Sequence, residues 1–149
     1  MSVQPAPLPK PSLTLKRRLK APPATVFAAW IEPKQIAKWF GPDGAEVLTA
    51  DIDARPGGGF HITFTTPDGE DHDISGSYLE FVRDRKLVFT WRWITLPERQ
   101  SQVTVTLEPD GKNATLLTLL HEKLFDEAAK TGHTRGWTQS LDKLEALFG

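Results

Sequence analysis

From Ala45 to about Glu122 the side chains keep a period of two, broken only at turns. No helix tolerates that pattern over such a length, so it confines most of the chain to strands with one buried face. Six strands are expected: Glu46–Ala54, Gly58–Thr66, Asp71–Val82, Leu87–Ile94, Gln102–Leu107 and Ala114–Glu122. Pro67-Asp68-Gly69 and Pro109-Asp110-Gly111 are hairpin signals, Pro56-Gly57-Gly58-Gly59 is a turn or bulge, and Arg83–Lys86 is a short polar link. Connections this tight make the neighbours antiparallel, because a parallel return needs a crossover of about a dozen residues or more.

The flanks read differently. Ser12–Lys20 alternates, with Leu13, Leu15, Arg17 and Leu19 on one face, and Ala21-Pro22-Pro23 ends that strand. Val26, Phe27, Trp30 and Ile31 recur at helical spacing. A second short helix is expected from Pro33, carrying Ile36, Ala37, Trp39 and Phe40 and closed by Gly41-Pro42. After the strands, Asp126 is placed to cap a long helix whose stripe is Ala129, His133, Trp137, Leu141, Leu144 and Phe148. Gly132 and Gly136 each weaken it by about 1 kcal/mol relative to alanine, so a close approach of backbone to the sheet or to a ligand is expected there. The order is β-α-α-β6-α, an α+β domain over residues 12–149 behind a disordered Pro-rich tail, 1–11.

With 149 residues there is room for one core. A net charge of −1 gives a polyanion no bulk attraction, so no nucleic-acid partner is expected. The absence of cysteine excludes disulfides, thiolate catalysis and Cys-ligated zinc, and fits a cytoplasmic location. No apolar run approaches the about 20 residues of a membrane span; Leu116–Leu120 is far too short.

The order of elements and several strings resemble the helix-grip fold of the START/Bet v 1-like (SRPBCC) superfamily, and within it the family of the activator of Hsp90 ATPase homologue 1. The strings are Ala21–Trp30, Lys38–Pro42, Asp53–Gly58, Ser75–Glu80 with Arg85–Trp91, Leu119–His121, and Gly136-Trp137 with Leu141 and Leu144. The resemblance implies a curved antiparallel sheet wrapped around the C-terminal helix, with a hydrophobic cavity between them. It also implies relatives that carry lipids, cyclise polyketides or sequester ligands.

Phe89, Trp91 and Trp93 share one strand face, and Phe60, Ile62 and Phe64 share another. Each ring by itself fits a core position; as a set they are expected to line the cavity, because such pockets are mostly apolar with few polar groups. Trp39, Trp137 and Leu141 complete the apolar lining. Tyr78 follows Gly76 on its face, where the missing side chain leaves room beside the ring. His121 and His133 are expected on the lining of the candidate cavity; they read first as surface or hydrogen-bonded residues, the alternative being that they approach each other across their loop near Trp137 as a pH-sensitive polar spot. The histidines lack metal-ligand spacing, the acidic run Asp68–Asp73 lacks a calcium-loop pattern, and no nucleophile elbow or phosphate loop is present. No catalytic residue, metal or cofactor is therefore assigned.

The function expected is binding of a hydrophobic, lipid-like or aromatic small molecule. The first alternative is a cavity enzyme of the polyketide cyclase or hydrolase kind, using His or Tyr as acid–base groups. The second is an Hsp90 ATPase-activating module, which ranks last because the chain lacks the further domain of full-length activators. A homodimer is left open.

Overall fold

The computed structural model describes residues 10–149. The Pro-rich tail expected over residues 1–11 lies outside the described residues as far as residue 9, and the Pro11 carbonyl accepts from the Leu124 N–H at 3.1 Å. Strand β1 (Leu13–Leu19) is followed by α1 (Pro23–Ile31) and α2 (Pro33–Ile36). Then come β2 (Glu46–Ile52), β3 (Gly59–Thr65), β4 (Asp71–Val82), β5 (Lys86–Trp93), β6 (Leu96–Pro109) and β7 (Thr115–Glu122), and last α3 (Glu127–Leu147). The strands form one antiparallel sheet in the order β1-β7-β6-β5-β4-β3-β2, the α+β helix-grip arrangement.

Two expectations are corrected. The second helix ends at Ile36, and Trp39 and Phe40 occupy the turn after it. Gly41 follows with φ +101°, a conformation that ends the helical run, while the Trp39 indole donates to the Ala29 carbonyl at 3.0 Å and pins the turn to α1. Strand β6 starts at Leu96 rather than Gln102, because only Ile94 and Thr95 make the turn from β5.

Three irregularities bend the sheet, as extra residues in one strand of a pair do. One lies between Val47 and Thr49 and one between Tyr78 and Glu80, and the intervening Leu48 and Leu79 end up exposed. In the third, Trp91 pairs with Ser101 and Trp93 with Leu96, so β6 bulges outward at residues 97–100.

The inner face and α1 build a core that includes Phe27, Trp30, Trp39, Ile74, Leu119 and Leu141. Arg17 points to the same side of β1 as the leucines and meets Asp142 of α3 at 3.0 Å, with Glu145 at 3.9 Å. Asp126 caps α3 by accepting from the Ala129 N–H at 2.8 Å, which satisfies one otherwise unpaired donor.

The space beside Gly76 is already occupied. A Cβ there would lie 1.9 Å from the Thr90 carbonyl oxygen and 2.6 Å from the Phe60 ring, which therefore rests on bare backbone next to Tyr78. Replacing Gly76→Ala should cost about 2–3 kcal/mol, the range for overpacking a tight core, read as a lower urea midpoint at unchanged slope. An unchanged midpoint would refute the close packing described.

Candidate functional site

Helix α3 is stitched to the chain at one end and free at the other. Ser140 Oγ accepts from the Gly41 N–H at 3.1 Å and lies 2.9 Å from the Gly41 and Gly136 carbonyls, to which its single proton is donated in turn. Gln139 Oε1 accepts from the Asp43 N–H at 2.9 Å, and Lys143 Nζ donates to the Pro42 carbonyl at 3.0 Å. Burial holds the Lys143 amine below its ordinary pKa, an effect the nearby Asp43 carboxylate opposes. Towards its N-terminus the helix stands off the sheet, and a cavity of about 700 Å³ opens beneath it.

Four elements wall this cavity besides α3. The turn after α2 brings Phe40 and Pro42, and the β3–β4 hairpin brings Phe64 and His72. The β5–β6 hairpin brings Trp91, Trp93, Leu96 and Arg99, and the lead-in to α3 brings Leu124 and Phe125. Aromatic contacts hold the wall together. Phe40 stacks on Trp91 at 5.9 Å between centroids, Phe64 on His72 at 4.9 Å, and Trp93 on His133 at 5.9 Å. The outward bulge of β6 carries Arg99 to the mouth, where its guanidinium lies 3.9 Å above the Phe125 ring.

Gly132 and Gly136 lie on the cavity wall, and a Cβ added at either would meet nothing within 4 Å. On the side where a Cβ would stand, nothing approaches these glycines, and the closeness expected to the sheet is absent. The space they leave belongs to the cavity.

The two histidines come together, with ring centroids 4.4 Å apart and Trp137 beside them. Their roles differ. The Trp137 indole can only donate, and it does so to His121 Nδ1 at 3.0 Å, which places the proton of a neutral His121 on Nε2. That proton goes to Ser101 Oγ at 2.7 Å, and Ser101 in turn donates to the Trp91 carbonyl at 3.5 Å. His121 is fully buried and has both nitrogens occupied. Burial, helped by the neighbouring His133, pushes its pKa down to about 2. His133 is only partly buried and makes no hydrogen bond among the described residues, and burial lowers its pKa to about 4.

Of the residues expected to line the cavity, Phe64, Trp91, Trp93, His133 and Trp137 do so. Phe60, Ile62, Tyr78 and Phe89 surround a separate void of about 20 Å³, which Phe40 and Trp91 divide from the large cavity. Trp39, His121 and Leu141 pack in the core behind both walls. Burial, with the Asp53 charge adding to it, raises the Tyr78 hydroxyl to about 12. Sequence reasoning missed Phe40 as lining, along with His72, Arg99 and Phe125. Among the described residues no cluster of His, Cys, Asp or Glu suited to a metal ion occurs, and no helix is long and apolar enough to cross a membrane.

A family model described as activator of Hsp90 ATPase homolog 1-like protein matches residues 20–149. The chain belongs to that family. Within this family of the START/Bet v 1-like superfamily, a solved structure from Chromobacterium violaceum is 32% identical, with a TM-score of 0.83 over 93% of this chain and 97% of its own. One from Silicibacter pomeroyi is 29% identical, with a TM-score of 0.81 over 91% and 96%. One from Nitrosomonas europaea is 26% identical, with a TM-score of 0.77 over 91% and 92%. No curated protein matches at a significant level.

Both buried histidines are less basic in the folded chain than their ordinary 6.5, so below that pH the unfolded chain binds protons first. Stability is full above pH 6.5 and falls with acidification, through about 4 for His133 and towards about 2 for His121. Between pH 7 and 5, His121 alone should remove about 2 kcal/mol from the unfolding free energy. Urea titrations across that range check this, and His121→Gln should flatten the slope. An unchanged slope in the variant would contradict the depressed basicity.

Proposed function

We propose that the protein takes up a hydrophobic small molecule, aromatic or lipid-like, in the cavity under α3 and releases it unchanged. One observation carries the reading: an aromatic-walled space of about 700 Å³ continues over two helix glycines at which a side chain would meet nothing. The volume falls within the about 300–1,000 Å³ of small-molecule pockets, and the aromatic rings of the wall suit an apolar body. Glycine inside a helix costs about 1 kcal/mol each time, a cost offset only if the open space has a use.

The enzyme alternative needs a proton-transfer group whose pKa lies near the working pH. His121 is held at about 2, His133 at about 4 and Tyr78 at about 12, and Tyr78 borders the other void. These values favour binding over acid–base turnover. An Hsp90-directed module needs an exposed recognition surface. The exposed apolar side chains Leu48, Leu79, Val82, Ile94, Leu116, Phe125 and Leu147 are distributed over β2, β4, the β5–β6 turn, β7, the lead-in to α3 and α3 itself.

The test fills the cavity from the helix. Gly132→Leu and Gly136→Leu should fold at least as stably as the parent, since each gains helix propensity and meets no clash. Both should bind anilinonaphthalene sulfonate at least about tenfold more weakly, a loss of about 1.4 kcal/mol. Undiminished dye binding in both leucine variants, at retained stability, would sink the cavity reading.

A further inference from the structure

Two buried indole N–H groups have no acceptor among the described residues, those of Trp30 and Trp91, and Trp91 is the one whose residue lies on the wall of the large cavity. Among the indoles, Trp39 donates to the Ala29 carbonyl and Trp137 to His121 Nδ1. Trp91 Nε1 is sealed from water and has no acceptor, in a residue only 5% exposed. An unmade buried donor costs about 1–3 kcal/mol, and native structures hold few of them. The polar groups around it are committed: both His121 nitrogens are bonded, and the Ser101 hydroxyl already donates to the carbonyl of Trp91 itself.

His133 is the exception. Its ring lies 5.5 Å from that of Trp91 at 86°, on the same cavity wall, and no hydrogen bond among the described residues holds it. Kept neutral by burial, it offers one donor and one acceptor nitrogen. Two uncommitted polar groups thus stand side by side where Phe40, Trp93 and Trp137 supply the neighbouring rings of the wall. Trp91 Nε1 is reached from the cavity only with a shift of the rings packed on it, among them His133, which ring contacts rather than hydrogen bonds hold in place.

We propose that Trp91 and His133 form the polar anchor of the cavity, and that its ligand carries a neutral carbonyl, a ketone or ester, on an aromatic or apolar body. The carbonyl oxygen accepts from Trp91 Nε1–H and, on its second lone pair, from the N–H of His133. A carboxylate is disfavoured at this depth, because a buried charge without a counter-charge costs far more than a neutral acceptor. At the mouth Arg99 and Arg135 are balanced in number by Asp43 and Asp68, so the rim selects no sign of charge. This rests on the small-molecule reading above and names the ligand class for the same cavity.

Two fluorescent probes of matched shape test it: acetyl-dimethylaminonaphthalene, and its ethyl counterpart, which lacks the carbonyl. The acetyl probe should bind the intact protein about tenfold more tightly, with the emission shift of a hydrogen-bonded ketone. Trp91→Phe should reduce that preference to less than about threefold, read as the ratio of the two probes' affinities within the same variant. His133→Phe should diminish both the preference and the emission shift. Should Trp91→Phe fail to fold, the intact protein decides: the Trp91 indole N–H resonance should move downfield with the acetyl probe and not with the ethyl one. Equal affinities, or a preference retained in Trp91→Phe, would overturn the anchor while the cavity reading stands. Failure of both probes to bind the intact protein would overturn both.

Discussion

The hydrogen-bonded chain from the Trp137 indole through His121 and Ser101 to the Trp91 carbonyl ties α3, β7, β6 and β5 into one unit. Its direction follows from a single fact, that an indole can only donate, and each later proton has one place left to go. In a low-dielectric interior such a series is worth keeping complete, since breaking one link leaves buried partners unpaired. The chain therefore fixes how far α3 sits from the sheet. It also withdraws His121 from any role towards a ligand, although His121 lies next to the cavity.

The same aromatic residues do two jobs according to where the sheet bends. Irregularities next to Leu48 and Leu79 and the wide bulge in β6 curve the strands, so that one end of the inner face closes on α1 while the other stands away from α3. At the closed end Phe60 lies against Gly76, and Tyr78 and Phe89 leave only a small void. At the open end Trp91 and Trp93 form a wall on which His133 of α3 rests, and beside it the helix presents the bare backbone of Gly132 and Gly136.

Most of the fold was legible because a half-buried strand must alternate and a tight turn needs its own residues. Leu87–Ile94 placed Phe89, Trp91 and Trp93 on one face, and that face is the inner one. Pairing of His121 with His133 was also readable, since β7 runs into α3 through a short link. The division of rings between core and cavity wall was not, because it depends on curvature, and bulges leave little trace in a pattern of two. Leu96–Ser101 shows this: five steps of β6 face two of β5, and no periodicity announces that Arg99 will reach the mouth. Phe40 was hidden for another reason. It was read as part of a helix face, whereas it lies in the turn after α2 with its ring on the cavity wall.

The uneven fastening of α3 divides it into two regions of different local stability. Its C-terminal half shares the cooperative unit of the core through Trp137, Ser140, Lys143 and the Arg17–Asp142 pair. The first turns have a cap, two glycines and an empty space beneath them, and so few contacts oppose their opening. The helix is thus a post of the core along one half and a thinly supported cover of the cavity along the other.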